Sequence, residues 1–269
     1  MLTNSIRVYS RGELFNMNLH IETIGTGPDL ALIHGWAMHG GVWDGVRDGL
    51  AQQFRLHLVD LPGHGGSEDQ SFTLEAVADR LAELLPTRFH LCGWSLGGQA
   101  ALMMAVRFPE RVERLILVGS TPCFTARPDW TAAVEREVFL AFAASLERDY
   151  EGTLRRFLSL QARSGDDTRA QIKQLRATLF SRGCPGTEAL RSGLGILLEK
   201  DLRSEVATVK QPTLLVHGDY DTLAPLGAAQ WLAERLPRAE LRMVAGAAHG
   251  PFLSHPAAFV AAVKEFLHG

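Results

Sequence analysis

Six short apolar runs constrain the fold of this chain more than any other feature: Leu30–Ile33, Leu56–Val59, Phe89–Cys92, Leu115–Val118, Thr213–Val216 and Leu241–Val244. Four residues are short for a helix, and a run with little apolar/polar alternation marks a strand buried on both faces. Met17–Ile24 does alternate, as a half-buried strand would. Helical spacing fills the intervals. Val42–Gln53 shows it, Thr73 can cap a helix bearing Leu74, Val77, Leu81 and Leu84, Leu226–Leu236 follows, and Pro256–Leu267 has proline in its first turn. The expected class is therefore α/β, a mostly parallel central sheet flanked by helices. From about Phe124 to Ala189 the strand-like runs stop, and only helical patterns remain at Val134–Leu146, Leu154–Gln161 and Thr168–Leu179. Residues 1–123 and 190–269 are expected to form the core. Residues 124–189 are expected to form a helical lid inserted over the strand ends.

At 269 residues and 46% hydrophobic content, the chain can bury one large core carrying such an insertion. Its formal charge of −3, with signs mixed, argues against nucleic acid or a membrane surface as partner. Small molecules or a specific protein fit better, and a monomer is expected. Cys92, Cys123 and Cys184 are odd in number and lack metal-ligand spacing. They point to reduced thiols, with no metal and no cofactor. The first residues lack an apolar core of signal-peptide length, and nowhere do eighteen uncharged apolar residues run together, so a cytoplasmic location is expected.

The chemistry centres on Gly93-Trp94-Ser95-Leu96-Gly97-Gly98, which separates an apolar run from an Ala/Leu/Met-rich helical segment. A turn that abrupt strains its central residue and requires glycine beside it. The serine hydroxyl is then presented at the start of the next helix, where unpaired N–H groups favour developing negative charge. The bland alternative is a glycine-rich turn with a capping serine. A serine needs a base, and an imidazole needs a carboxylate to fix its tautomer. His249 is best placed, after a strand and the small-residue loop Ala245–Ala248, with His255 as its rival. Asp219 and Asp221 both follow the run Thr213–Val216, and Asp221 lies further beyond it. The oxyanion donors expected are the N–H groups of Leu96 and of Trp36, the latter in the turn after His34-Gly35. The side chains of Trp36 and Trp94 can equally be core aromatics.

Taken together, HGW, LVDLPGHGGS, GWSLGG, HGDYDTLAP and AAHGPFLSHP, in that order, resemble the α/β-hydrolase superfamily across nearly the whole chain. More narrowly, HGWAMHGGVWDGV, HLVDLPGHGGS, LCGWSLGG, STPCFTAR (residues 120–127), RFLSLQ (residues 156–161) and AAHGPFLSHP resemble the family of pimeloyl-[acyl-carrier protein] methyl ester carboxylesterases of biotin biosynthesis. That resemblance implies a Ser-His-Asp carboxylesterase. It further implies an acyl site lined by Phe157, Leu158, Ser159, Leu160 and Gln161 together with Trp36, Ser95, Leu96 and His249. It also implies acyl-carrier protein as partner, held by Arg156, Arg169 and Lys173, while a further arginine of the family falls on Gly152. Independently of the family, residues 155–176 hold six cationic side chains against Asp166 and Asp167. Such a stripe can steer an acidic partner or can simply be a solvated helix face. Two other readings stay open: a hydrolase of small esters, C–C bonds or lactones, and a ligand receptor that uses the fold without turnover.

Overall fold

In the computed structural model of the protein, residues 17–161 and 168–269 are described, apart from the side chains at positions 147, 150, 157–161, 168–171 and 174. The apolar runs become one sheet of seven strands: β1 (Ile21–Ile24), β2 (Asp29–Ile33), β3 (Arg55–Val59), β4 (Phe89–Trp94), β5 (Val112–Val118), β6 (Thr213–Gly218) and β7 (Ala239–Val244). Their order is β1-β3-β2-β4-β5-β6-β7. Only β1 runs antiparallel to its neighbour. Burial explains the composition. Leu30, Ala31, Leu32 and Ile33 in β2 are wholly buried, whereas Met243 on the edge strand β7 is 55% exposed.

The helices that carry the chain across the sheet are α1 (Asp44–Ala51), α2 (Leu74–Leu84) and α3 (Leu96–Arg107). Between β5 and β6 come α4 (Arg136–Arg148), α5 (Tyr150–Gln161), α6 (Thr168–Ser181), α7 (Thr187–Glu199) and α8 (Arg203–Val206). Then follow α9 (Leu226–Arg235), α10 (Pro251–Ser254) and α11 (Pro256–His268). The step from β2 to β3 moves one way along the sheet, and every later step moves the other way. Right-handed crossovers therefore place α1 on one face and α2, α3 and α9 on the other. Accordingly α2 packs on α3, and α11 returns to α1. The reversal lies between β2 and β4, and at such a switch point the carboxyl ends of the strands open a crevice.

Several boundaries differ from the sequence expectation for identifiable reasons. Met17 and Leu19 are buried as expected, but the ladder of β1 begins only at Ile21. At His20 the carbonyl still receives Asp60 N–H (3.0 Å), but its N–H donates to Ser67 Oγ (2.8 Å) and its ring to Asp60 Oδ2 (2.9 Å). Val42–Gln53 divides into a 3-10 turn at Gly40–Trp43, capped by His39, and then α1. Helix α7 runs across the expected boundary at positions 189 and 190. Among the described residues no helix is long and apolar enough to cross a membrane.

Candidate active site

Ser95 sits where β4 ends and α3 begins, with φ 56° and ψ −120°. This left-handed conformation is costly for a side-chain-bearing residue and survives only where its surroundings enforce it. Two glycines make it possible. A Cβ at Gly93 would collide with the Gly97 carbonyl, and a Cβ at Gly97 would collide with the carbonyls of Ile33 and His34. The start of α3 is thus pressed against the end of β2. The end of β5 secures the turn from the other side, since Ser95 N–H donates to Val118 O (3.0 Å) and Ser120 Oγ donates to Ser95 O (2.8 Å).

His249 and Asp221 arrive from the loops beyond β7 and β6. Asp221 can only accept, so His249 Nδ1 carries the proton and donates to Oδ2 (2.8 Å) and Oδ1 (3.0 Å). Nε2 is left as acceptor for the Ser95 hydroxyl at 2.8 Å. The other duties of Asp221 Oδ1 are to receive the N–H groups of Leu223 and Ala224, both at 2.9 Å. Burial opposes the charge on Asp221, but the imidazoles of His249 and His217 and the Ala224 N–H outweigh it and hold the carboxyl below its usual range. The rivals lie elsewhere. Asp219 receives Gly246 N–H (2.7 Å), and the His255 ring bonds Ser254 Oγ (2.8 Å). Cys92, three residues before Ser95, is no competing nucleophile, because burial pushes its thiol above its usual range.

The Leu96 N–H is the first of α3, so it has no acceptor within the helix. The Trp36 backbone passes beside the serine, because a Cβ on neighbouring Gly35 would lie 3.1 Å from Ser95 Cβ. The Trp36 indole turns away from solvent, donates to Leu190 O in α7 (2.9 Å) and meets Phe142 of α4 edge-on at 5.4 Å. Helix α7 lies directly on this site, since a Cβ at Gly193 would come within 2.7 Å of Trp36 Cδ1 and 3.1 Å of Leu96 Cδ2. Ser95 is consequently only 4% exposed.

Positions 157–161 belong to α5, but the side chains of Phe157, Leu158, Ser159, Leu160 and Gln161, like that of Arg169, lie outside the described residues. Arg156 is exposed and engaged locally with Asp149 (3.3 Å) and Thr153 Oγ1 (2.7 Å), while Lys173 is exposed on α6. Gly152, where the resembling family has arginine, donates its N–H to Asp149 Oδ1 (3.0 Å). Three contributors were not singled out from sequence: Ser120 on the turn, His217 beside Asp221, and the Trp94 indole, which donates to His249 O (2.8 Å). His217 had a signal, four residues before the acid. Ser120 and the indole act across the fold and had none.

Residues 30–256 match the family model described as alpha/beta hydrolase fold. A pimeloyl-[acyl-carrier protein] methyl ester esterase of Nitrosomonas europaea is 50% identical over 90% of this chain and 97% of its own length. The protein of the same name from Nitrosospira multiformis is 45% identical over 93% and 98%. Among solved structures, an esterase from Exiguobacterium antarcticum superimposes with a TM-score of 0.86 at 22% identity over 94% of this chain and 96% of its own, a likeness of fold. With its reversal of strand order between β2 and β4, its strained serine turn and its hydrogen-bonded histidine and aspartate in place, the chain belongs to the α/β-hydrolase family.

Proposed function

We propose that this protein is a serine carboxylesterase that removes the methyl group from a pimeloyl methyl ester carried on acyl-carrier protein, as a step of biotin synthesis. The observation that carries the chemistry is the unbroken chain of hydrogen bonds from Ser95 Oγ through His249 to Asp221 beneath a helical cover. The substrate rests on the names of relatives that are up to half identical over nearly their full length.

Ser95 Oγ attacks the ester carbonyl while His249 Nε2 takes its proton, and the N–H groups of Leu96 and Trp36 receive the developing oxyanion. His249 then protonates the departing methoxide as methanol. Water, deprotonated by the same nitrogen, opens the acyl-enzyme and releases the free carboxylate and Ser95. The thioester to the carrier survives by position, with the carrier outside and the remote ester at the serine. In this reading residues 124–189 act as the lid, Phe157–Gln161 line the acyl path, and Arg156, Arg169 and Lys173 meet the acidic carrier. The protein works as a monomer and in the cytoplasm, a reducing compartment with which its three free cysteines agree.

The test compares methyl pimeloyl-carrier with a short nitrophenyl ester. Ser95→Ala should lower turnover of both by at least about 10⁴-fold with the fold retained. Joint reversal of Arg156, Arg169 and Lys173 to Glu should lower kcat/KM for the carrier substrate more than about tenfold and leave the free ester within about threefold. Equal losses on both esters would remove the carrier from the reading, and an active Ser95→Ala enzyme would remove the mechanism.

A further inference from the structure

We infer that Trp94 is a positioning residue for the general base: its indole N–H, by gripping the backbone carbonyl of His249, sets the reach of that imidazole to Ser95. The inference rests on the hydrolytic reading of Ser95, His249 and Asp221.

His249 is anchored by hydrogen bonds at two places, and its ring lies 5.7 Å from the Trp94 indole. Asp221 holds the ring at Nδ1, and Trp94 Nε1 holds the main chain at 2.8 Å. Gly119 packs closely against the carbonyl so held, since a Cβ there would come within 2.5 Å of that oxygen. The indole is equally confined. It is 1% exposed, a Cβ on Gly35 would lie 3.0 Å from its Cε3, and Phe252 meets it edge-on at 5.2 Å. Phe252 is in turn backed by Trp43 at 4.4 Å. Trp94 is also the residue before Ser95, so one rigid side chain spans from the nucleophile's own backbone to the loop that carries the base. It touches the oxyanion loop at Gly35 on the way. Catalytic groups must be held within about 0.5 Å of productive geometry, and a misplacement of about 1 Å can cost about 100-fold in rate.

Removal of the N–H leaves a buried carbonyl to find another partner. If the loop shifts to find it, Nε2 leaves the serine and kcat falls; if the indole were only packing, stability alone would change. The decisive substitution replaces Trp94 by β-(3-benzothienyl)alanine through nonsense suppression, which keeps the shape and deletes the donor. Trp94→Phe accompanies it. With a short nitrophenyl ester we expect kcat to fall about 10- to 100-fold and KM to stay within about twofold. The rate of serine labelling by a small organophosphonate should fall in parallel. A kcat within about twofold of the parent in the benzothienyl protein, whatever its melting temperature, overturns the inference, and this protein decides the matter if Trp94→Phe does not fold. Failure of the hydrolytic reading itself looks different, as equal turnover by the parent and Ser95→Ala.

Discussion

Each residue of the relay is constrained from more than one side, and Asp221 shows what that implies. Its Oδ1 receives Leu223 and Ala224 N–H while Oδ2 faces His249. In Asp221→Asn the two backbone donors claim the amide oxygen, which turns the NH₂ toward Nδ1. The imidazole must then carry its proton on Nε2, where it cannot accept from Ser95. We expect kcat to fall about 10³- to 10⁴-fold with the melting temperature little changed, measured on any ester the parent hydrolyses. A loss under tenfold would mean that the tautomer does not matter here. That Ser95, Asp221 and His249 would meet was legible in the sequence because each stands in a turn beyond an apolar run. The grip of Trp94 on His249, 155 positions away, was not, because it exists only once β4 and the loop after β7 share one sheet edge.

At the level of elements, local pattern reported what local forces decide. Thr73 caps α2 as its sequence suggests, with its hydroxyl receiving Ala76 N–H. Helix α7 begins without any such signal, at Gly186, because its cap comes from afar. Asp69 Oδ1 receives Ala189 N–H at 3.0 Å, and Gly63 O receives Gly186 N–H at 2.7 Å. The helix that covers the serine is thereby pinned to the loop following β3. Asp69→Ala should cost about 1 kcal/mol, a fall of about 2–4 °C in Tm for a chain of this size, whereas Asp69→Asn keeps an acceptor and most of the stability. Calorimetry of the two variants checks this, and identical melting of Asp69→Ala and the parent would contradict it.

Across the whole molecule, acid stability should reflect histidines outside the relay. His34 receives Leu61 N–H on Nε2 and donates from Nδ1 to Gly35 O (2.7 Å), and the His64 ring lies 5.1 Å away. Burial pushes His64 down to about 4, and burial together with the neighbouring His64 ring pushes His34 down as well. In the unfolded chain both protonate near 6.5. Below that pH the unfolded state binds protons that the folded state refuses, so stability falls as pH drops from about 6.5 toward about 4, by up to about 1.4 kcal/mol per pH unit for each ring. Asp221, whose carboxyl is held low, adds its loss only below its ordinary range near 3.8. Urea midpoints at pH 7.5, 6 and 5 should decline in that order, and a flat series would contradict these assignments. The strand order has a further consequence during synthesis. Ser95 follows the fourth strand and His249 follows the seventh, which pairs in the sheet with β6 alone. A nascent chain whose β1–β5 had emerged would already hold the serine turn and still lack His249, so it could not process ester until the loop after β7 had emerged as well.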